Sequence, residues 1–200
     1  MPNFVHLRLH TEYSLVDGLL RIKPMVQRVA DLGMAAVAVS DRSNFYGLVK
    51  FYKAALAAGI KPIFSVDLLV FEGEERDNPS LICLLAANQD GYRNLTELIS
   101  RAYVDGQYLG VAQVDKAWLS DYSEGVIALS GGREGDVGQA LISGNQDLAR
   151  ERLEFWMQTY PDSYYLELQR SGREHEELYL HAAVALAVEA NCPVAASNDV

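Results

Sequence analysis

The chain is poor in the side chains that most often bind metal: four histidines and two cysteines in 200 residues. No apolar run approaches the ~20 residues needed to cross a bilayer, so no membrane span is expected. The start, Met1-Pro2-Asn3-Phe4, has neither the basic flank nor the apolar segment of a signal peptide. A cytoplasmic location is the expectation, and in a reducing compartment Cys83 and Cys192 are expected to pack as small hydrophobes without a disulfide. No Gly-x-Gly-x-x-Gly follows the first apolar run, which removes support for dinucleotide binding. Cations are also scarce, 17 Lys and Arg against 27 Asp and Glu, a net charge of −10. A surface that grips duplex DNA by its phosphates needs clustered cations, so direct DNA binding by this chain is not expected.

What is present is an alternating pattern. Half of the residues are hydrophobic, enough to build one domain over 1–200 with a full core. Short β-rich apolar runs fall at 4–9, 36–40, 62–70, 81–86, 126–130, 164–168 and 193–196. Between most of them lie stretches with helical spacing. Pro24 suits a first turn, and Met25, Val29 and Leu32 recur at helical intervals until Gly33 ends the helix. A second helix, about 47–58, stops at Gly59, and Asp90 is placed to cap a third through Leu95, Leu98 and Ile99. Two more follow Asp136 and Asn145, and a long Ala-rich one spans about 174–190. Strand and helix in alternation imply a parallel sheet covered on both faces. Residues 71–79 read as a hairpin connection and 104–114 as a surface excursion.

The stretch His6-Leu7-Arg8-Leu9-His10-Thr11-Glu12-Tyr13-Ser14, followed by Asp17-Gly18, looks like a divalent-metal motif with one ligand deleted. Residues two apart on a strand share a face, so a His-x-His pair there would present two imidazoles to a metal. Here the pair reads Arg8 and His10, and an arginine has no lone pair to give.

These residues resemble the opening of the PHP domain, the polymerase-and-histidinol-phosphatase fold, in the form found at the N-terminus of bacterial replicative DNA polymerase III alpha subunits. That form reads His-Leu-His-x-His-Thr-x-Tyr-Ser-x-x-Asp-Gly. Further along, Asp41-Arg42-Ser43-Asn44-Phe45-Tyr46-Gly47 is similar to the family's Asp-His-Gly-Asn-x-x-Gly turn, and Gly59-Ile60-Lys61-Pro62-Ile63 with Asp67 to its Gly-x-Lys-Pro-Ile strand ending in an acid. Leu85-Ala86-Ala87-Asn88, Gly91-Tyr92-Arg93-Asn94-Leu95, Ser130-Gly131-Gly132, Tyr165-Leu166-Glu167-Leu168 and Ala196-Ser197-Asn198-Asp199-Val200 follow in the family's order, so the resemblance covers nearly the whole chain.

The resemblance implies an α/β fold, a distorted (β/α)7 barrel of the PHP type whose domain continues past residue 200. Loops after the strands of such barrels build the site. At the family's ligand positions His10, Asp41, Asp67 and Asp199 remain capable donors, whereas Arg8, Arg42, Leu81 and Ser171 stand where histidine is usual, and Gly132 or a neighbour where cysteine is frequent. A polynuclear phosphoesterase centre needs several neutral imidazoles around an open position. The expectation is therefore no catalytic residue and no resident metal, but a vestigial ion-pair cluster of Arg8, His10, Asp41, Arg42, Asp67, Ser171 and Asp199, with guanidinium groups satisfying the acids. The alternatives are arginines that point to solvent beside an unused cleft, or residual zinc or manganese binding. His6 is expected to be a single hydrogen-bonded histidine, and His175 and His181 to be surface or helix-packing residues.

The parent chain implied is a DNA-directed DNA polymerase acting in replication. No Gly-x-x-x-x-Gly-Lys loop is present, so this segment is not expected to polymerise DNA by itself. A non-catalytic scaffold that packs on the remainder of the polymerase alpha chain and binds the proofreading exonuclease subunit is the first reading. The rival is a metal-dependent phosphoesterase, acting on pyrophosphate or a mispaired 3′ end (a 3′-5′ exonuclease), through His10 and the three aspartates. A third reading is a fold-stability element with no partner surface; Tyr103, Tyr108 and Trp118 in the least regular stretch speak against it, since interface centres are rich in such residues.

Overall fold

In the computed structural model, residues 4–15 and 17–198 are described. Among the described residues nine strands are formed: β1 (Ala36–Val39), β2 (Lys61–Glu72), β3 (Glu75–Ala86), β4 (Gln107–Tyr108), β5 (Val111–Ala112), β6 (Val114–Asp115), β7 (Val126–Leu129), β8 (Tyr164–Leu168) and β9 (Val194–Ala196). Six α-helices accompany them: α1 (Ile22–Asp31), α2 (Leu48–Ala57), α3 (Gln89–Val104), α4 (Asp136–Ile142), α5 (Gln146–Thr159) and α6 (Glu176–Ala190). The main sheet runs β1-β2-β3-β7-β8-β9, with β6 beside the far end of β2. The architecture is α/β, the sheet curled into a half barrel of the distorted barrel type.

Helices begin and end where local chemistry requires. In α1 the buried Ile22, Met25, Val26 and Val29 fall three and four apart, and Gly33 (φ 71°) lets the chain reverse, its N–H and that of Met34 donating back to Ala30 and Val29. Gly59 (φ 72°) ends α2 in the same way. The cap of α3 is Asn88 rather than Asp90: the Asn88 Oδ1 accepts from the backbone N–H of Asp90 and Gly91 at 3.0 and 2.9 Å. Asp90 lies inside the first turn, where its charge suits the helix dipole.

The expectation of an all-parallel sheet fails at β3. Strands β1/β2, β7/β8 and β8/β9 are parallel, but β3 is antiparallel to both β2 and β7. The cause is the turn at Gly73 (φ 62°) and Glu74, too short for a crossover and able to join only a hairpin. Most of the stretch 71–79 is therefore paired strand, and 104–114 contains the β4/β5 hairpin. The 4–9 segment forms no regular ladder; it is tied to β1 by Ala38 N–H to His6 O (2.8 Å) and Ser40 N–H to Leu9 O (2.9 Å).

Alternation along β3 divides the interior. Ile82 and Leu84 face a large core shared with α3, α4, α5 and α6, while Cys83 and Leu85 face inward with Leu129, Leu7 and Ile63. A second core joins α1 and α2 to β1 through Ile22, Phe51, Val37 and Val39. Trp156 anchors the large core, stacked on Tyr164 at 6.1 Å with its indole N–H donating to Asp136 Oδ1 at 2.7 Å. Replacing Trp156 by Ala leaves a void and removes one donor from buried Asp136, which keeps the Val137 N–H and Lys116; a loss of roughly 3–5 kcal/mol is expected in urea unfolding, with little change in slope.

Candidate functional site

At the mouth of the half barrel the chain brings together three stretches distant in sequence: 8–17, 41–42 and 67. Asp67, on β2 opposite Cys83, is fully buried. Its Oδ2 accepts from Arg8 Nε at 2.7 Å and faces His10 Nε2 at 2.8 Å. Burial alone would push the Asp67 carboxyl up, yet the Arg8 charge and the His10 contacts outweigh it and hold the group down at about 2. The other ring nitrogen of His10, Nδ1, lies 3.2 Å from Asp17. Both ring nitrogens face carboxylates, which suits a doubly protonated imidazolium. Burial opposes that charge, but Asp67 and Asp17 prevail and raise the His10 pKa.

Arg8 also lies 3.9 Å from a second buried acid, Glu167 on β8. Burial pushes the Glu167 carboxyl up; Arg8, the Ser197 hydroxyl, which donates to Oε1, and Gln169 work against it. Neither Glu167 nor Asp17 was a candidate on sequence grounds, although both lie within quoted motifs. The signal available for Glu167 was an acid in the middle of an apolar strand, where a charge requires a partner.

Asp41 is satisfied differently from the arginine pairing expected. Its oxygens accept from Thr11 N–H (2.7 Å), Thr11 Oγ1 (2.7 Å) and Ser14 Oγ (2.8 Å), all supplied by the short turn at Glu12–Ser14. Arg42 instead reaches Asp17 at 3.1 Å from a partly exposed position. Gly18 lets this turn fold tightly, because a Cβ there would sit 1.7 Å from Thr11 O. Ser171 is not bonded into this cluster: its N–H and hydroxyl go to Glu176, whose carboxylate also collects the N–H of Gly172 and Arg173 at the start of α6. Asp199 lies outside the described residues. Leu81 is a core residue, and His175 and His181 are exposed. His6 packs edge-on against Phe4, its Nδ1 buried without a hydrogen-bond partner.

The PHP domain family matches residues 6–171, and the chain belongs to that family. It is about half identical along its length to the N-terminal region of DNA polymerase III alpha subunits. The similarity is 52% identity over 198 residues to DNA polymerase III subunit alpha of Pseudomonas aeruginosa, covering 99% of this chain and 17% of that one. For the same subunit of Escherichia coli K12 it is 50% over 199 residues, covering all of this chain and 17% of the relative. The chain thus spans about a sixth of these relatives. Among solved structures, an amidohydrolase from Chromobacterium violaceum shares the fold at a TM-score of 0.61 and 17% identity, over 98% of this chain and 86% of the other.

Two outcomes are expected from this geometry. Arg8→Met strands two buried acids, and a loss of roughly 3–5 kcal/mol should appear in chemical unfolding; Asp67→Asn in the same chain should restore part of it in a double-mutant cycle. The second concerns pH. With a raised pKa, His10 contributes stability that is complete below its ordinary value of about 6.5 and is lost as pH rises through its folded value. Asp67, with a depressed pKa, contributes stability present above about pH 4 and lost as pH falls toward 2. Thermal melts should therefore decline on the alkaline side in the parent chain and decline less in His10→Gln.

Proposed function

We propose that this chain is a non-catalytic scaffold, the PHP domain of a replicative DNA polymerase alpha subunit, with a degenerate metal site neutralised by its own side chains. The observation that carries the reading is the Arg8 guanidinium, 2% exposed, held between Asp67 and Glu167 inside the barrel mouth. A divalent ion placed on those acids would meet a fixed positive charge that can donate no lone pair. His10 points both ring nitrogens at carboxylates, and Asp41 faces three local donors, so the strongest donors near Arg8 are already engaged. Among the described residues no group of three or more His, Cys, Asp or Glu side chains is arranged to hold a metal ion. The donor set does not fit a polynuclear centre, and no hydrolytic step is derived through one.

A domain freed of chemistry serves by the surfaces it offers. The relatives are about six times longer than this chain, so the remainder of the alpha chain is the first partner. The proofreading exonuclease subunit is the second, on the strength of the family resemblance. No helix of the described residues is long and apolar enough to cross a membrane, and the reading places the protein in the cytoplasm with the replication machinery.

Asp41→Asn separates this reading from a working phosphoesterase. The scaffold reading expects a loss of about 1–3 kcal/mol from a disrupted hydrogen-bond set, with no pyrophosphatase or 3′-5′ exonuclease activity to lose. Equilibrium dialysis against zinc and manganese should leave well under one ion per chain. Stoichiometric metal, with turnover abolished by both chelation and Asp41→Asn, would overturn the proposal.

A further inference from the structure

The net charge of −10 conceals a local reversal: residues 42–66 carry Arg42, Lys50, Lys53 and Lys61 and no acid at all. Two of these cations are committed, Arg42 to Asp17 and Lys50 to Glu12 and the face of Tyr13. Among the described residues Lys53 and Lys61 have no ion-pair partner, and both are exposed.

Lys61 lines an open apolar groove of about 490 Å³ between α2, the start of β2, the end of β3 and the start of α3, and Lys53 follows the lining residue Tyr52 on α2. Its walls include Val49, Tyr52, Phe64, Ala86 and Tyr92, with Lys61 among the lining residues and no acid among them. Val49 is 66% exposed, Tyr52 45% and Leu56 53%, one stripe along α2 at spacings of three and four, with Lys53 beside it. Tyr52, Phe64 and Tyr92 form a chain of ring contacts at 6.1 and 5.9 Å, so the floor is a packed aromatic surface. The groove lies at the opposite end of the strands from Arg8 and its acids and shares no residue with them. A volume of this size, exposed aromatics and unpaired cations at its edge are features of a recognition site.

We infer that this groove docks a protein segment in which acidic residues flank aromatic or branched aliphatic anchors. The anchors enter against Tyr52, Phe64 and Tyr92, and the acids meet Lys53 and Lys61. Charge complementarity selects this occupant: on a domain of net charge −10, this groove has Lys61 in its lining, Lys53 close by and no acid among its lining residues, so an acidic segment is attracted here. The inference rests on the groove alone and not on the loss of the metal site.

The test is selection of 12-residue peptides from a random phage-displayed library on the intact 200-residue chain, followed by fluorescence anisotropy with the synthetic peptides. Enriched sequences are expected to carry Asp or Glu around Trp, Phe or Leu. Tyr52→Asp should weaken them by about tenfold or more. The pair Lys53→Glu and Lys61→Glu should weaken them and flatten their salt dependence. Melting temperatures should barely move, since all three side chains are exposed. Any of four results would overturn the inference: no enrichment, peptides without excess acid, binding that survives both variants, or displacement by an oligo-dT strand. Self-association of the chain abolished by Tyr52→Asp would reassign the groove to a second copy and overturn it equally.

Discussion

A guanidinium buried to 2% exposure is what the rest of the barrel mouth is arranged around. Asp67 could not remain ionised in so apolar a setting without Arg8 at 2.7 Å, and Arg8 could not be buried without its acids. His10 is recruited to the same oxygen, and its far side then calls for Asp17, which in turn draws in Arg42. The series runs from the interior of the sheet to solvent, each charge placed by the one before it.

This arrangement explains a division of labour between two kinds of acid. Asp41 is met by hydroxyls and a backbone N–H from a turn a few residues long, an assembly that organises the loop and needs no cation. The carboxylates of Asp67 and Glu167 face the interior and share the Arg8 guanidinium between them at 2.7 and 3.9 Å. Their pKa values part accordingly: the acid in direct contact is held down, and the more distant one is pushed up. Buried pairs of this kind are weak sources of net stability but severe penalties when broken, so the cluster fixes which side chains face inward more than it strengthens the fold.

Much of this was legible in the sequence. Strand and helix alternation, the glycine stops after α1 and α2, and the position of Arg8 against a carboxylate were open to reading because each depends on local periodicity or on one residue type out of place. The antiparallel course of β3 within the main sheet was hidden, since its direction is set by the two-residue turn at Gly73 and Glu74, and strand composition reads alike in either direction. The pairing of Arg42 with Asp17 was hidden too. Asp41 had already been claimed by Thr11 and Ser14, an outcome decided by reach within a turn and not by charge. Ser171 was misplaced because a neighbouring carboxylate, Glu176, offers several N–H groups a nearer partner.

Glu167 is joined to Arg8 across most of the length of the polypeptide. During synthesis Arg8 leaves the ribosome first and Asp67 follows, well before Glu167 and Ser197. The β2/β3 hairpin closes over a few residues and is among the earliest pairings available to the nascent chain. Curling of the sheet, by contrast, needs β8 as well, so the inward arginine can meet Asp67 before Glu167 is there to be met.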